Sequence, residues 1–536
     1  MSKTARPELI DELLPIGERL RRSYDLHTDR TAVVDPRRKL TYGQLRERAT
    51  SVARGLRRLG ARTGDRIVVI SPNSVEWVEV DHACYIAGFV RVGPITRLHP
   101  QELLGIVTDA DPVVAVVDGE WLAGAGRSWL PDNVKHLVVI GDEAGDAMPF
   151  EDLVADGASD AFVFDAPVVD GDQWLMYTSG STGTPKGVRC TGRSIGAMTR
   201  NVLAEMKGLT SADIALHTAP LSHFSGAVAL AVFATGGCNM LRAAFDVEGV
   251  AEGVAGGGVT VLPMVPTQIT MLTDYLISRE KSGTPRDVTG IRQIPYAGSA
   301  IAPAKLAEAQ DVFGPVLLQF YGASESPMPM TALQPEDHLA ESAEGRLPRL
   351  ASAGRVNRFV QMKIVGPDGE ELPAGETGEI IAAGAQVMPG YWRLPEATAE
   401  VLSPDGWLKT GDVGYFDEDG FLFIVDRKKD MVITGGFNVY PREVENAILN
   451  LPGIREVAVV GAPSEKWGEA IVAVVSLQPD ANLTAEDVVS HCRSLIAGYK
   501  VPKSVEIVDD LPKSGSGKIM KRAVRDALWQ GRARKV

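Results

Sequence analysis

The residues from 177 to 188 read Tyr-Thr-Ser-Gly-Ser-Thr-Gly-Thr-Pro-Lys-Gly-Val. Three glycines, five small hydroxyl side chains and one cation fall within a dozen positions. Glycine lets a backbone turn tightly and brings its N–H groups up to an anion. Hydroxyls add donors and Lys186 adds charge, so the stretch is built like a polyphosphate cradle. It is not the common P-loop, in which a glycine directly precedes the lysine; here Pro185 holds that place. Composition alone also fits a polar surface turn.

Other segments carry chemistry of the same kind. Asp412, in Lys409-Thr-Gly-Asp-Val413, is a carboxylate that could accept both hydroxyls of a ribose or cap a turn. Gln319-Phe-Tyr-Gly-Ala-Ser-Glu-Ser-Pro327 follows an apolar run and places a flat ring, a hydroxyl and a carboxylate together. Pro512-Lys-Ser-Gly-Ser-Gly-Lys518 sets a lysine on a turn of small residues. Gly435 and Gly436, in Thr434-Gly-Gly-Phe-Asn-Val-Tyr-Pro441, leave room for a slender ligand or simply for a turn.

These motifs, in this order from about Leu40 to about Arg525, resemble the adenylate-forming superfamily: acyl- and aryl-CoA ligases, adenylation domains of peptide synthetases, and luciferase. Most of all they resemble a stand-alone acyl- or aryl-CoA ligase. The resemblance implies that Thr178, Ser179, Gly180, Ser181, Thr182, Gly183, Thr184 and Lys186 hold the phosphates of ATP. It implies that Tyr321 packs on adenine, that Gly298 and Ser299 wall the acid pocket, and that Gly322, Ala323, Ser324 and Ile424 border the nucleotide. Asp412 would take the ribose with help from Arg427. Glu325 and Thr178 would hold Mg²⁺, for which carboxylate oxygen is a suitable hard ligand. Lys518 would bridge carboxylate and α-phosphate, where charge builds in the transition state. Lys429 falls at the family's hinge, about which the small domain rotates between two reactions, bringing Gly435 and Gly436 to the thiol arm of coenzyme A. His223, in Pro220-Leu-Ser-His-Phe-Ser-Gly226, would border the acid. Gln386 and Gly390-Tyr391 match a Gly-Tyr motif before the Asp412 turn.

The implied activity is ATP-dependent adenylation of an aromatic or medium-chain acid, followed by transfer to a thiol, with coenzyme A first and a separate carrier protein second. Adenylation of nitrite to diazotise an aryl amine is a further alternative, and a nucleotide-binding relative without turnover is a rival of another class. The chain departs from the family pattern at Gly192, where histidine is usual, at Ser324, where threonine is usual, and at Tyr296, where a small residue is usual and a tyrosine would narrow the pocket.

Alternating elements must position these residues. Thr41-Tyr-Gly-Gln44 forms a capping box, and Leu45, Ala49, Val52, Leu56 and Leu59 recur at helical spacing up to Gly60. Short apolar runs at 66–70, 113–117, 134–140, 214–219, 259–265 and 316–321 predict parallel strands covered on both faces by helices. From about 350 to 426, turns at 366–369, 404–406 and 417–420 predict antiparallel β structure. The expected fold is α/β, with a large N-terminal domain (1–426) of two doubly wound sheets plus a distorted β-barrel. A hinge at 427–430 then leads to a small mobile α+β domain (431–536).

A chain of 536 residues is too long for one core. A net charge of −14 argues against nucleic acid as partner. Four cysteines without paired spacing indicate neither zinc nor a disulfide framework. The N-terminal residues lack the apolar core of a signal peptide, no carrier-protein domain follows Lys518, and the apolar run 224–241 reads as a buried helix, a turn and a strand. A cytoplasmic enzyme, with oligomerisation allowed, is the expectation.

Overall fold

The computed structural model describes residues 15–141, 145–164, 169–178, 185–256, 258–284, 287–299, 301–339, 349–434, 437–464, 466–513 and 519–529. A seven-stranded sheet runs in the spatial order Met148–Pro149, His136–Ile140, Val114–Asp118, Arg66–Ile70, Val90–Val92, Asp172–Thr178, Lys186–Thr191. Its pairs are parallel except the last, an antiparallel hairpin. Nearly continuous Val and Ile runs suit strands buried on both faces.

A second sheet orders Ile214–His217, Cys238–Leu241, Thr31–Val34 and Lys39–Thr41, and a third orders Ile294–Tyr296, Leu317–Tyr321, Thr331–Leu333 and Arg355–Val356. Parallel bridges from Ala215 to Val261, and from Val261 to Gln293, join the two into one layer. The strand expected at 259–265 is present only as these bridges and one at Met264. Pro263 cannot donate to a ladder, so the run stays extended without continuous pairing.

The expected distorted barrel is absent among the described residues. Gln361–Val365, Gly378–Ala383, Leu408–Phe416 and Leu422–Arg427 form an open four-stranded antiparallel sheet. Part of the edge that closure would need is already taken: Ala353 donates to the Leu422 carbonyl (2.7 Å), and Leu422 donates to that of Gly354 (2.8 Å). The strand thereby bonds to the preceding layer instead of to Gln361–Val365.

From 432 onward a five-stranded sheet, with Ile454–Ser464 and Gly468–Leu477 as its long hairpin, packs under helices Pro441–Leu449 and Ala485–Leu495. The apolar run at 224 forms a 12-residue helix ending at Gly236, then the strand Cys238–Leu241. Among the described residues no helix is long and apolar enough to cross a membrane.

Helix Val75–Ala87 is buried almost all round and still carries Glu79, Asp81 and His82. Each has a partner, because a buried unpaired charge is costly. Arg48 and Arg38 reach Glu79 at 2.7 and 3.0 Å, Arg91 reaches Asp81 at 2.7 Å, and the Tyr24 hydroxyl lies 2.6 Å from His82 Nδ1. Burial pushes His82 down to about 3, and His217 and His338 down to about 4. All three stay neutral in the fold while the unfolded chain takes up protons below about 6.5, so stability is full above that pH and is lost as pH falls. Each contributes about 1.4 kcal/mol per pH unit between its two pKa values. The slope of denaturation midpoint against pH from 6.5 to 5 is expected to flatten measurably in His338→Gln; an unchanged slope would refute this origin.

Candidate active site

The hairpin of the first sheet sets Thr178 opposite Lys186. Its outer strand is stitched to the 390–392 segment: Trp392 donates to the Gly187 carbonyl (2.7 Å) and Arg189 to that of Gly390 (3.2 Å). A side chain at Gly187 would press within 3.1 Å of the Tyr177 ring and 3.2 Å of Trp392, so only glycine fits without movement. Lys186 Nζ lies 5.0 Å from the centroid of the Tyr391 ring.

Strand Leu317–Tyr321 ends in a tight turn. A Cβ at Gly322 would come 2.6 Å from that of Met328, and Ala323 donates to the Ser326 carbonyl (3.1 Å). This turn presents Glu325. Its Oε1 accepts from the Tyr391 hydroxyl at 2.8 Å, and its carbonyl accepts from Met388 N at 2.8 Å. Gln386, fully buried, donates to Ser326 Oγ at 3.3 Å and steadies the same turn.

Asp412 and Arg427 are cross-strand partners. Asp412 is 6 % exposed. Its Oδ2 accepts from the Tyr321 hydroxyl at 2.7 Å, and its Oδ1 lies 3.2 Å from Arg427 Nε. Burial, and then the Asp412 charge, hold the Tyr321 phenol well above its usual range, so it remains a donor. Ile424 packs beside Tyr321 in a small apolar cluster with Ile364, Ile380 and Leu422. A cleft of about 290 Å³ opens between these parts, lined by Ala323, Glu325, Tyr391, Lys409, Gly411 and Lys428 among others.

His223 directly precedes helix Phe224–Thr235, with Nδ1 2.8 Å from Ser222 Oγ. Phe224 meets Phe320 edge to face at 6.3 Å, which sets this helix against the strand that ends in Tyr321. Gly298, at φ +100°, and Ser299 lie exposed after the neighbouring strand Ile294–Tyr296. Tyr296 ends that strand. Its side chain is buried in the second core, and its hydroxyl lies 3.0 Å from His338 Nε2 and 3.2 Å from Gln319 Oε1.

Lys429 stands in a short turn. Lys428 N donates to Gly411 (2.9 Å), Asp430 N donates to Arg427 (2.9 Å), and Arg525 lies 3.9 Å from Asp430. Burial and the Arg427 charge lower the Lys429 ammonium pKa. Ser179, Gly180, Ser181, Thr182, Gly183, Thr184, Gly435, Gly436 and Lys518 lie outside the described residues. The structure therefore brings Lys186, Tyr321, Glu325, Asp412 and Arg427 to one region. Sequence reasoning gave no role to Tyr391, Lys409 or Lys428; the signal for Lys409 was its place three residues before Asp412.

Among the described residues no group of three or more His, Cys, Asp or Glu could hold a metal by itself. Glu325 and Thr178 offer hard oxygen donors. Such a sparse set suits Mg²⁺, which usually keeps its waters and arrives with substrate phosphates.

A family model described as AMP-binding enzyme matches residues 20–392, and one described as AMP-binding enzyme C-terminal domain matches residues 443–518. A feruloyl-CoA synthase of Amycolatopsis sp is 38% identical over 501 residues, covering 92% of this chain and 95% of that protein. The fatty acid–[acyl-carrier-protein] ligase ScoC of Streptomyces coeruleorubidus is 34% identical, covering 94% and 95%. Among solved structures, the amide bond synthetase McbA from Marinactinospora thermotolerans superposes with a TM-score of 0.85 at 29% identity, covering 96% of this chain and 100% of that one.

Asp412→Asn keeps the shape and halves the acceptor capacity. Hydrogen bonds to a charged group contribute about 1.5–3 kcal/mol. The dissociation constant for AMP, read by calorimetry, is expected to rise at least tenfold. Unchanged affinity would remove Asp412 from the nucleotide contacts.

Proposed function

The chain belongs to the AMP-binding enzyme family, and from that premise we propose that it is an ATP-dependent acid–thiol ligase acting on an aromatic or medium-chain carboxylic acid, with coenzyme A as acceptor. The observation that carries the reading is that the turn after Tyr321 joins the Tyr321–Asp412–Arg427 group to the Lys186–Tyr391–Glu325 group, beside a cleft that Glu325 and Tyr391 line.

In the first step a carboxylate oxygen attacks the α-phosphorus of ATP, the bond to the β,γ-diphosphate breaks, and acyl-AMP and pyrophosphate result. Asp412 holds the ribose hydroxyls, with Arg427 fixing its orientation. Tyr321 offers its ring to the base. Lys186 meets the phosphate oxygens, and Lys518 meets the charge that builds on the reacting phosphoryl group. Mg²⁺, carried on Glu325 and Thr178, would neutralise phosphate charge there. In the second step a thiol, losing its proton, attacks the acyl carbon and AMP leaves. Rotation about Lys429 would exchange Lys518 for the Gly435–Gly436 segment. The local bonding is compatible with that pivot, since Lys428 is tied to Gly411 before it and Asp430 faces Arg525 after it.

The acid class is supported by the named activity of the feruloyl-CoA synthase relative. A carrier protein as acceptor is the second reading, because the ScoC relative is named for that transfer. The deciding experiment is pyrophosphate release with ATP and Mg²⁺ across aromatic and aliphatic acids, with and without coenzyme A. Thioester formed only with coenzyme A supports the first reading. Acid-dependent pyrophosphate release without thioester redirects it to a carrier protein.

Lys518→Ala is expected to slow adenylation by about two to three orders of magnitude, the scale for removing a preorganised charge, while thioester formation from supplied acyl-AMP persists. Equal loss of both half-reactions in a folded variant would refute the assigned role. Lys429→Pro is expected to adenylate and to fail at the thiol step; normal overall turnover would rule out the hinge.

A further inference from the structure

Tyr391 has two electrostatic handles of opposite sense. Its hydroxyl is a donor, and its ring face carries the negative side of the aromatic quadrupole. The hydroxyl donates to Glu325 Oε1 at 2.8 Å, and the ring face receives the Lys186 ammonium at 5.0 Å. Burial, and then the Glu325 charge, keep the phenol protonated. The ring is held in place from its backbone. Tyr391 bridges Val188, and its N–H donates to Thr398 Oγ1 at 2.9 Å. Gly390 precedes it at φ +149°, where a Cβ would strike Thr398 Cγ2 at 2.8 Å. Glu325 is fixed from its own side by Met388 N. Among the described residues, Lys186 and Glu325 form no ion pair with each other, although one tyrosine side chain touches both.

A lysine and a glutamate that touch the same side chain are candidates for direct pairing, which a phosphate would then have to break. We propose that Tyr391 is an electrostatic spacer, a positioning residue that gives the cation and the carboxylate separate partners so that both stay available to a ligand. The inference rests on the nucleotide reading above. A cation over a ring face is held weakly enough to move onto phosphate oxygen, and the Tyr391 hydroxyl orients the Glu325 carboxylate through Oε1. A merely structural tyrosine would fill the same volume, and removing its neighbouring carboxylate would then restore nothing.

The test is equilibrium titration of the full chain with ATP in EDTA, which reads binding without metal or turnover. Tyr391→Met removes ring and hydroxyl and lets Lys186 pair with Glu325, and ATP affinity is expected to fall about tenfold, the order of one lost charged contact. Tyr391→Phe keeps the ring and loses the hydroxyl, and is expected to fall only about threefold. The double variant Tyr391→Met/Glu325→Gln is expected to regain most of the loss, because the competing carboxylate is gone. Tyr391→Leu repeats the series should the methionine variant fail to fold, as judged by its melting curve. A double variant as weak as Tyr391→Met, or a single variant with undiminished affinity, overturns the spacer. A wild-type chain that binds no ATP overturns the nucleotide reading and the spacer with it, whereas intact wild-type binding without rescue overturns the spacer alone.

Discussion

The hydrogen bond from Tyr321 to Asp412 ties two separately built layers together, and the candidate site exists only where they meet. Tyr321 ends a strand whose pairing with Thr331–Leu333 fixes which face its ring takes. Asp412 sits on a different sheet, opposite Arg427. A slip of one residue in either ladder would turn the side chain to the other face, so the 2.7 Å contact demands both registers at once. The cost of burying the Asp412 carboxylate is offset by Tyr321 and Arg427, both of which donate to it or lie against it. The bonds between Leu422 and the 353–354 backbone join the same two layers from below. The occupied edge that defeats barrel closure thus also joins the two layers that carry Tyr321 and Asp412.

The first sheet meets this region through the Lys186–Thr191 strand. Its outer edge is bonded to residues 390 and 392, so the hairpin that carries Lys186 is anchored to the segment that presents Tyr391. Farther from the site, the buried helix Val75–Ala87 seats Glu79 against Arg48 and Asp81 against Arg91. Buried ion pairs of this kind fix how the helix seats, because breaking one leaves an uncompensated buried charge. That rigidity suits a platform against which loops must be placed to within an ångström.

Local signals were legible in the sequence. The capping box at Thr41 and Gln44 forms as read. The turns closing at Gly369, Gly406 and Gly420 all take positive φ. The motif order also identified the family, since each motif needs only a short window. What stayed hidden depends on pairing across the chain. Tyr391 and Glu325 are 66 positions apart, so no window shows that the hydroxyl of one holds the other. The barrel expectation failed because a run of short strands and turns says nothing about which edge is already occupied. The partner of Tyr296, His338, is 42 positions away, so no short window shows that contact.

The electrostatics of the cleft explain how an acidic protein can receive a polyanion. The chain carries a net charge of −14, so no long-range field draws ATP in. Cations gather locally instead, and several already face carboxylates: Arg427 with Asp412, and Lys428 with Glu379 at 2.9 Å. Cations already matched by carboxylates present no bare positive hole to a polyanion, so the net gain from charge alone is modest. Discrimination must come from geometry, from which oxygens reach which donors at once, and that geometry is set by the registers and turns that converge on Tyr321, Tyr391 and Asp412.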